Sequence, residues 1–192
     1  MSKKLFLVLA VITVLMIGGI SLTKGNSKNS SPKTELSLSD MVGKPAPDFS
    51  LTNQKSQTIT LSSLRGKKIV IFFNEGIMCY PACWNQIAAL GTDERLNNSN
   101  VVSFSIVADD PTKWDSAFKK MPELNTGNIL FDTNKAVSSQ YGMLTVASSM
   151  HRGSLPGHTY LILDQKGIVR YTLDDPEMGV QNETLIKELS KI

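Results

Sequence analysis

The sequence predicts an α/β fold in which a mixed β-sheet is covered by helices on both faces. Two apolar runs, at 68–73 and 101–108, are rich in β-branched and aromatic side chains, which is typical of strands buried on both faces. An amphipathic stretch follows each run, and a hairpin pattern comes late in the chain. Strands that alternate with helices in this way predict a central sheet between helical layers.

The individual elements follow from apolar spacing and from turn residues. After the strand at 68–73, Pro81 stands at an early helical position and begins a predicted helix over 81–96. Asp110 and Pro111 open a second helix, in which Trp114, Phe118 and Met121 form one apolar stripe. The remaining predicted elements are a short strand at 128–132, a short helix at 135–143, a hairpin of strands 160–163 and 168–171, and a closing helix at 183–192.

The first 42 residues are predicted to lie outside the globular domain. Residues 5–22 form an uncharged apolar run behind two lysines, and at about 1.5 Å per residue this run is long enough to span a bilayer. We expect residues 1–22 to be a membrane anchor or signal segment, residues 23–42 a flexible linker, and residues 43–192 the folded domain. The lysines favour the cytoplasm, which places the domain outside the cell membrane. A retained single-pass anchor is favoured because no A-x-A pattern ends the run, and a cleaved segment would release the domain as a secreted protein.

The charge distribution excludes one large class of function. The whole chain has 20 Lys and Arg against 17 Asp and Glu, but residues 43–192 carry equal numbers of each sign. A neutral domain has no long-range field that attracts phosphates. We therefore expect no nucleic-acid partner.

Both cysteines lie where the first long strand gives way to its helix. Open α/β sheets place their chemistry at the carboxyl ends of strands, and a helix N-terminus lowers the pKa of a thiol. Residues four apart on a helical path have Cα atoms about 6 Å apart, which a disulfide can bridge. With Pro81 at the helix start, Cys79 is the more exposed, attacking thiol and Cys83 the covered, resolving one. A purely structural disulfide is the alternative in an exported protein.

Three motifs make the sequence resemble a known family. Residues 42–49 (VGKPAPDF), residues 61–67 (LSSLRGK) and the strand that runs into the two-cysteine turn are similar to the opening of the AhpC/TSA redoxins. That thioredoxin-fold family includes peroxiredoxins and the membrane-tethered TlpA- and ResA-like thiol–disulfide oxidoreductases. The resemblance covers about residues 42–192 and implies a thioredoxin-like α/β fold with a central mixed sheet.

The cysteine region departs from the family patterns in three ways. The Cys79-x-x-x-Cys83 spacing is one residue longer than the Cys-x-x-Cys of thioredoxin-like reductases. Peroxiredoxins place threonine three residues and proline seven residues ahead of the reactive cysteine, and relative to Cys79 these positions are Gly76 and Phe72. His158 stands where redoxins have a cis-proline or an arginine beside the cysteine pair. The resemblance implies that the residue at this place packs against the cysteine pair, where a histidine can donate a hydrogen bond to a thiolate or supply a third metal ligand.

We predict from the resemblance a thiol–disulfide oxidoreductase that exchanges disulfides with protein partners outside the cytoplasmic membrane. Cys79 and Cys83 carry the exchange, and Glu75, four residues ahead of Cys79, is expected to accept the released proton. The dithiol itself carries two electrons, so no cofactor is required. We expect a monomer whose other contact is with the membrane, through its N-terminal segment.

Two alternatives stay open. A Cys-x-x-x-Cys motif followed by a late histidine also resembles the Sco family of copper-delivering thioredoxin-fold proteins, which implies Cu(I) bound by Cys79, Cys83 and His158. The second alternative is a peroxiredoxin-type hydroperoxide reductase, an antioxidant enzyme, although Gly76 supplies no hydroxyl group to position a peroxide.

Overall fold

A seven-stranded mixed sheet forms the centre of the computed structural model, which describes residues 37–192. Its strands lie in the order β2-β1-β5-β4-β3-β6-β7. The three middle strands β5, β4 and β3 run parallel, and all other neighbours pair antiparallel. The strands are β1 (Ser50–Asn53), β2 (Thr58–Thr60), β3 (Lys68–Phe73), β4 (Val101–Val107), β5 (Ile129–Phe131), β6 (Thr159–Leu163) and β7 (Val169–Asp174).

Helices cover both faces of this sheet, which confirms the predicted fold class. They are α1 (Leu38–Met41), α2 (Ala82–Thr92), α3 (Asp115–Lys120), α4 (Ala136–Gln140) and α5 (Asn182–Leu189), together with 3-10 turns at Leu61–Leu64, Gly76–Met78, Pro111–Trp114 and Pro122–Asn125. The helices are shorter than predicted. The helix expected over 81–96 ends at Thr92, because Asp93 adopts an extended backbone. The helix expected from Asp110 begins instead as a 3-10 turn, capped by the Asp110 carboxylate, which accepts the Thr112 N–H at 2.9 Å.

Strand β3 supplies side chains to two hydrophobic cores, one on each face of the sheet. Ile69, Ile71 and Phe73 point into one core, whereas Val70 and Phe72 point into the other. All five side chains are fully buried. The first core lies under α1 and α4, and the second lies under α2, α3 and α5. The second core reaches the carboxyl end of β3, where the cysteines lie.

The N-terminal hairpin of β1 and β2 was not predicted from the sequence. Its strands are short, and their polar residues Ser50, Thr58 and Thr60 are exposed or half-buried, so they have little of the apolar character that marked β3 and β4. The hairpin joins the sheet because β1 pairs with β5. Tertiary pairing, rather than local sequence preference, therefore sets these two strands.

The predicted membrane segment at 1–22 lies outside the described residues, as does most of the predicted linker at 23–42. The last part of that linker differs from the prediction, because Leu38–Met41 forms helix α1 and Met41 is buried in the first core. Folded structure thus begins before residue 43. Within residues 37–192, no helix is both long and apolar enough to cross a membrane.

We predict that Ile71→Ala lowers the free energy of unfolding by about 3 kcal/mol, because it removes a fully buried side chain from the middle of β3 and leaves a cavity. Urea unfolding followed by circular dichroism, with the disulfide kept oxidised, measures the change. The matched control is Ile192→Ala at the partly exposed C-terminus, which is expected to change stability by less than about 0.5 kcal/mol. Equal losses in both variants would contradict the assigned core.

Candidate active site

A disulfide joins Cys79 and Cys83 at the point where β3 gives way to α2. Cys79 follows the 3-10 turn Gly76–Met78, and Cys83 is the second residue of α2. The two Cα atoms lie 5.3 Å apart, within the range that the sequence spacing predicted. The pair therefore sits at the carboxyl end of a central strand and at a helix N-terminus, as expected for reactive thiols.

Cys79 is less exposed than the sequence predicted. Its exposed fraction is only 3%, against 0% for Cys83, although its chain neighbours Met78 and Tyr80 are well exposed. The cover comes from Met178, whose Sδ lies 3.8 Å from the Cys79 Sγ. The order of accessibility is as predicted, but both sulfur atoms are shielded in the disulfide form.

His158 lies beside the cysteine pair, as the family resemblance implied. Its Nδ1 is 3.6 Å from the Cys83 Sγ, and its Nε2 is 2.8 Å from the Tyr160 hydroxyl. The ring of Phe72 packs against both aromatic rings, with each pair of centroids 4.6 Å apart. His158 and Tyr160 are two residues apart at the start of β6, so their side chains lie on the same face of the sheet.

Burial sets the protonation of this pair of side chains. It lowers the pKa of His158 to about 4, against the opposing effect of nearby Asp175, so the imidazole is neutral near pH 7. Burial also raises the pKa of Tyr160 far above its usual value, so its hydroxyl keeps its proton. When that hydroxyl donates to Nε2, the neutral ring carries its proton on Nδ1 and donates toward Cys83. His158 can then stabilise a Cys83 thiolate without carrying a charge.

Glu75 has a different place from the one expected. Its side chain is buried, and one carboxylate oxygen accepts the backbone N–H groups of Met150 and His151 at 2.6 and 2.9 Å. The other oxygen pairs with the His151 Nδ1 at 3.0 Å. Because both oxygens are occupied by residues 150–151, Glu75 ties this loop to the end of β3. The expected role of Glu75 as proton acceptor for Cys79 stays a prediction.

Asp109 is a site residue that the sequence analysis missed. Its Oδ2 accepts the Ile77 N–H at 3.0 Å and the Trp114 indole N–H at 3.2 Å, and burial raises its pKa. It lies against Gly76, which has a φ of +61°, and a Cβ added at residue 76 would overlap the Asp109 carboxylate. No local pattern pointed to this contact, because 32 residues separate Asp109 from Ile77.

Comparison with known proteins identifies the family. The model of the AhpC/TSA family matches residues 42–172. The chain belongs to the AhpC/TSA family. A chloroplastic peroxiredoxin Q from Populus jackii is 29% identical over 161 residues, covering 82% of this chain and 72% of the relative. A putative peroxiredoxin bcp from Haemophilus influenzae is 34% identical over 153 residues, covering 79% of this chain and 97% of the relative.

The fold agrees with this assignment. The crystal structure of peroxidoxin BcpB from Mycobacterium tuberculosis matches with a TM-score of 0.63 and 18% identity, over 79% of this chain and 97% of that one. At that identity the match supports the thioredoxin-like fold alone. In this chain a Cβ at residue 76 would overlap the Asp109 carboxylate, so the turn is built around a glycine.

We predict that Gly76→Ala destabilises the protein by about 2 kcal/mol more than Gly153→Ala. Both glycines have positive φ, so both variants strain the backbone, but the space around Gly153 is open. Only the alanine at 76 would displace Asp109 from Ile77 and Trp114. Urea unfolding of the two oxidised variants measures the difference, and similar losses would show that the contact with Asp109 is unimportant.

A second prediction concerns pH. An unfolded histidine has a pKa of about 6.5, whereas burial lowers that of folded His158 to about 4. Between these values the unfolded chain binds a proton that the folded chain does not, so His158 makes stability fall as pH falls. We expect the wild type to lose about 2 kcal/mol more than His158→Gln between pH 7 and pH 4.5. Unfolding free energies at both pH values test this, and parallel pH profiles would rule it out.

Proposed function

We propose that this AhpC/TSA protein reduces hydroperoxides, with Cys79 and Cys83 as its working dithiol. The observation that carries the proposal is the disulfide within one chain at the end of β3, in a protein whose relatives are named peroxiredoxins. A pair of cysteines that closes in this way can supply both electrons that a peroxide takes up. The substrate class is therefore a hydroperoxide, and the product is the corresponding alcohol or water.

The reaction begins when the Cys79 thiolate attacks one peroxide oxygen. The O–O bond breaks, Cys79 becomes a sulfenic acid, and the departing oxygen takes a proton and leaves as alcohol. Cys83 then attacks the Cys79 sulfur, the S–O bond breaks, and water leaves. The disulfide that results is reduced again by a partner dithiol, which is itself oxidised to a disulfide.

The surroundings of the two sulfur atoms support this order of attack. Cys79 lies between the exposed residues Met78 and Tyr80, so displacement of the Met178 side chain that covers it would open its sulfur to solvent. Cys83 is fixed in the first turn of α2 and faces the imidazole of His158. The helix N-terminus and the Nδ1–H of His158 both favour the Cys83 thiolate, which is the attacking group in the resolving step.

A second candidate function is disulfide exchange with partner proteins, and the turn at Gly76 favours it. Gly76 supplies no hydroxyl group to position a peroxide, and the Asp109 carboxylate occupies the space that a side chain at residue 76 would need. In this reaction the Cys79 thiolate attacks a partner disulfide and forms a mixed disulfide. Cys83 then displaces the partner, which leaves reduced while the Cys79–Cys83 bond forms.

The test is a stopped-flow reaction of the reduced protein with hydrogen peroxide and with cumene hydroperoxide. We expect one peroxide to be consumed per chain, two thiols to be lost, and a rate roughly 100-fold or more above that of free cysteine. Trp84 follows Cys83 directly and supplies a fluorescence signal for disulfide formation. Cys79→Ser should abolish the reaction, whereas Cys83→Ser should stop at a sulfenic acid on Cys79.

A parallel assay with insulin as the protein disulfide separates the two candidates. If insulin is reduced in a Cys79-dependent way while peroxide reacts no faster than with free cysteine, the second candidate replaces the first. If the wild type and both serine variants behave alike in both assays, the disulfide is structural and both candidates are wrong.

A further inference from the structure

We propose that the cysteine pair reduces methionine sulfoxide, and that its substrate is the oxidised side chain of Met178 in the same chain. The proposal rests on the roles proposed above for Cys79 as the attacking thiol and Cys83 as the resolving thiol, but it requires no reaction of either cysteine with peroxide. It adds a second substrate class, a sulfoxide, and makes Met178 a site of reversible oxidation.

The thioether of Met178 lies against the sulfur that would attack its oxidised form. Its Sδ is 3.8 Å from the Cys79 Sγ, although 99 residues separate the two in the sequence. Groups held about 3 to 3.5 Å apart in a fixed orientation react far faster than groups that meet by diffusion. Among the hydrogen bonds of residues 37–192, Met178 is the one methionine whose sulfur contacts a cysteine. The two atoms between which an oxygen must pass are therefore neighbours in the folded chain.

The loop that carries Met178 is held in place by Asp175. The Asp175 carbonyl accepts the Met178 N–H at 3.1 Å. Its carboxylate accepts the N–H groups of Glu177 and Gly179 at 3.1 and 3.0 Å, and the side-chain N–H of Gln181 at 2.8 Å. Met178 itself has a φ of +53°, a conformation that costs a non-glycine residue about 1 kcal/mol or more. The hydrogen bonds to Asp175 maintain this strained backbone and so fix the place of the thioether.

The same loop also contacts the resolving half of the site. The Asp175 N–H donates to the His158 carbonyl at 3.0 Å, and the His158 Nδ1 lies 3.6 Å from the Cys83 Sγ. Asp175 is buried, so this connection is shielded from water. One loop thus places Met178 beside Cys79 and is hydrogen-bonded to the residue that faces Cys83.

Exposure decides which sulfur an oxidant meets first. Met178 is half-buried, whereas Cys79 has an exposed fraction of only 3%. An oxidant that approaches Cys79 past its cover therefore encounters the Met178 thioether, and thioethers take up one oxygen to become sulfoxides. Met41 and Met143 are buried in the first core and are protected from this reaction. The sulfoxide of Met178 thus forms next to the dithiol that can remove it.

The reaction balances within one chain. The Cys79 thiolate takes the oxygen from the Met178 sulfoxide: the S–O bond of Met178 breaks, an S–O bond forms on Cys79, and one proton completes the sulfenic acid. Cys83 then attacks the Cys79 sulfur, the disulfide forms, and the oxygen leaves as water with a second proton. The sulfoxide gains two electrons and the two thiols lose two. A Cys79–Cys83 disulfide beside an unoxidised Met178, as in the structure, is the arrangement that this reaction leaves.

The test is repair of the sulfoxide in a single turnover. The full chain is oxidised with hydrogen peroxide while its cysteines are protected as the disulfide. The peroxide is then removed, the disulfide is opened with a phosphine under argon, and peptide mass spectrometry follows each methionine. We expect roughly half of the Met178 sulfoxide to return to methionine, because one enzyme reduces one of the two sulfoxide epimers. Met150 is the internal control, because it is exposed and its sulfoxide should persist.

Variants and dilution assign the repair to the cysteine pair. Cys79→Ser is expected to leave the Met178 sulfoxide unrepaired, whereas Cys83→Ser should move the oxygen to Cys79 and stop at a sulfenic acid that dimedone traps. The half-time should stay constant over a roughly 10-fold dilution, because substrate and thiol belong to one chain. The proposal is overturned if the Met178 sulfoxide persists as that of Met150 does, or if Cys79→Ser repairs it at the wild-type rate.

Reaction of the unoxidised, reduced protein with hydrogen peroxide separates this proposal from the proposed function. Repair of Met178 without a fast peroxide reaction would remove peroxide reduction alone, and a fast peroxide reaction without repair would remove the sulfoxide proposal alone.

A second variant keeps the test valid where oxidation itself unfolds the chain. Met178→Ala, never treated with oxidant, leaves the space beside Cys79 open to free N-acetylmethionine sulfoxide. With dithiothreitol as reductant, it should reduce this sulfoxide at least about 10-fold faster than the same variant that also carries Cys79→Ser. Equal rates in the two proteins would overturn the proposal.

Discussion

The turn at Gly76 is the constraint on which the rest of the site depends. Strand β3 is buried on both faces, so the chain must leave the sheet abruptly to bring a reactive group near the surface. It does so with positive φ at Gly76, where the Asp109 carboxylate occupies the space of a side chain and accepts the Ile77 N–H. Because the Asp109 carboxylate also accepts the Trp114 indole N–H, one half-buried carboxylate joins the end of β3 to the segment before α3. The contacts of Asp109 with Gly76 and Ile77 therefore hold in place the start of the loop that carries Cys79.

The pairing of β3 with β6 places the second half of the site. The register puts Phe72 opposite Tyr160. His158 is two residues before Tyr160 and lies on the same face of the sheet, which brings it beside Cys83 in α2. A shift of this register by one residue would turn His158 to the other core. The aromatic contacts of Phe72 with both rings fill the space around the imidazole and keep it neutral by excluding water. Packing within the second core thus keeps neutral the His158 imidazole, which faces the sulfur of Cys83.

The sequence predicted those parts of the structure that depend on local pattern. The buried strands β3 and β4, the hairpin of β6 and β7, the cysteine pair and the position of His158 all follow from apolar runs, turn residues and a family resemblance. What escaped prediction depends on contacts between distant residues. The β1–β2 hairpin forms by pairing with β5, Glu75 binds a loop 75 residues away, and Met178 reaches Cys79 across 99 residues. Tyr160 could have been found, because it lies two residues after His158 on a strand.

Oxidation state decides which chemistry this site can perform. In the disulfide form the two cysteine sulfur atoms are bonded to each other, so neither is a thiolate that can attack a peroxide or a partner disulfide. Reduction frees both sulfur atoms at once, and their lone pairs are then available for the proposed attack on a hydroperoxide or on a partner disulfide. Both proposed reactions therefore require a reductant that restores the two thiols.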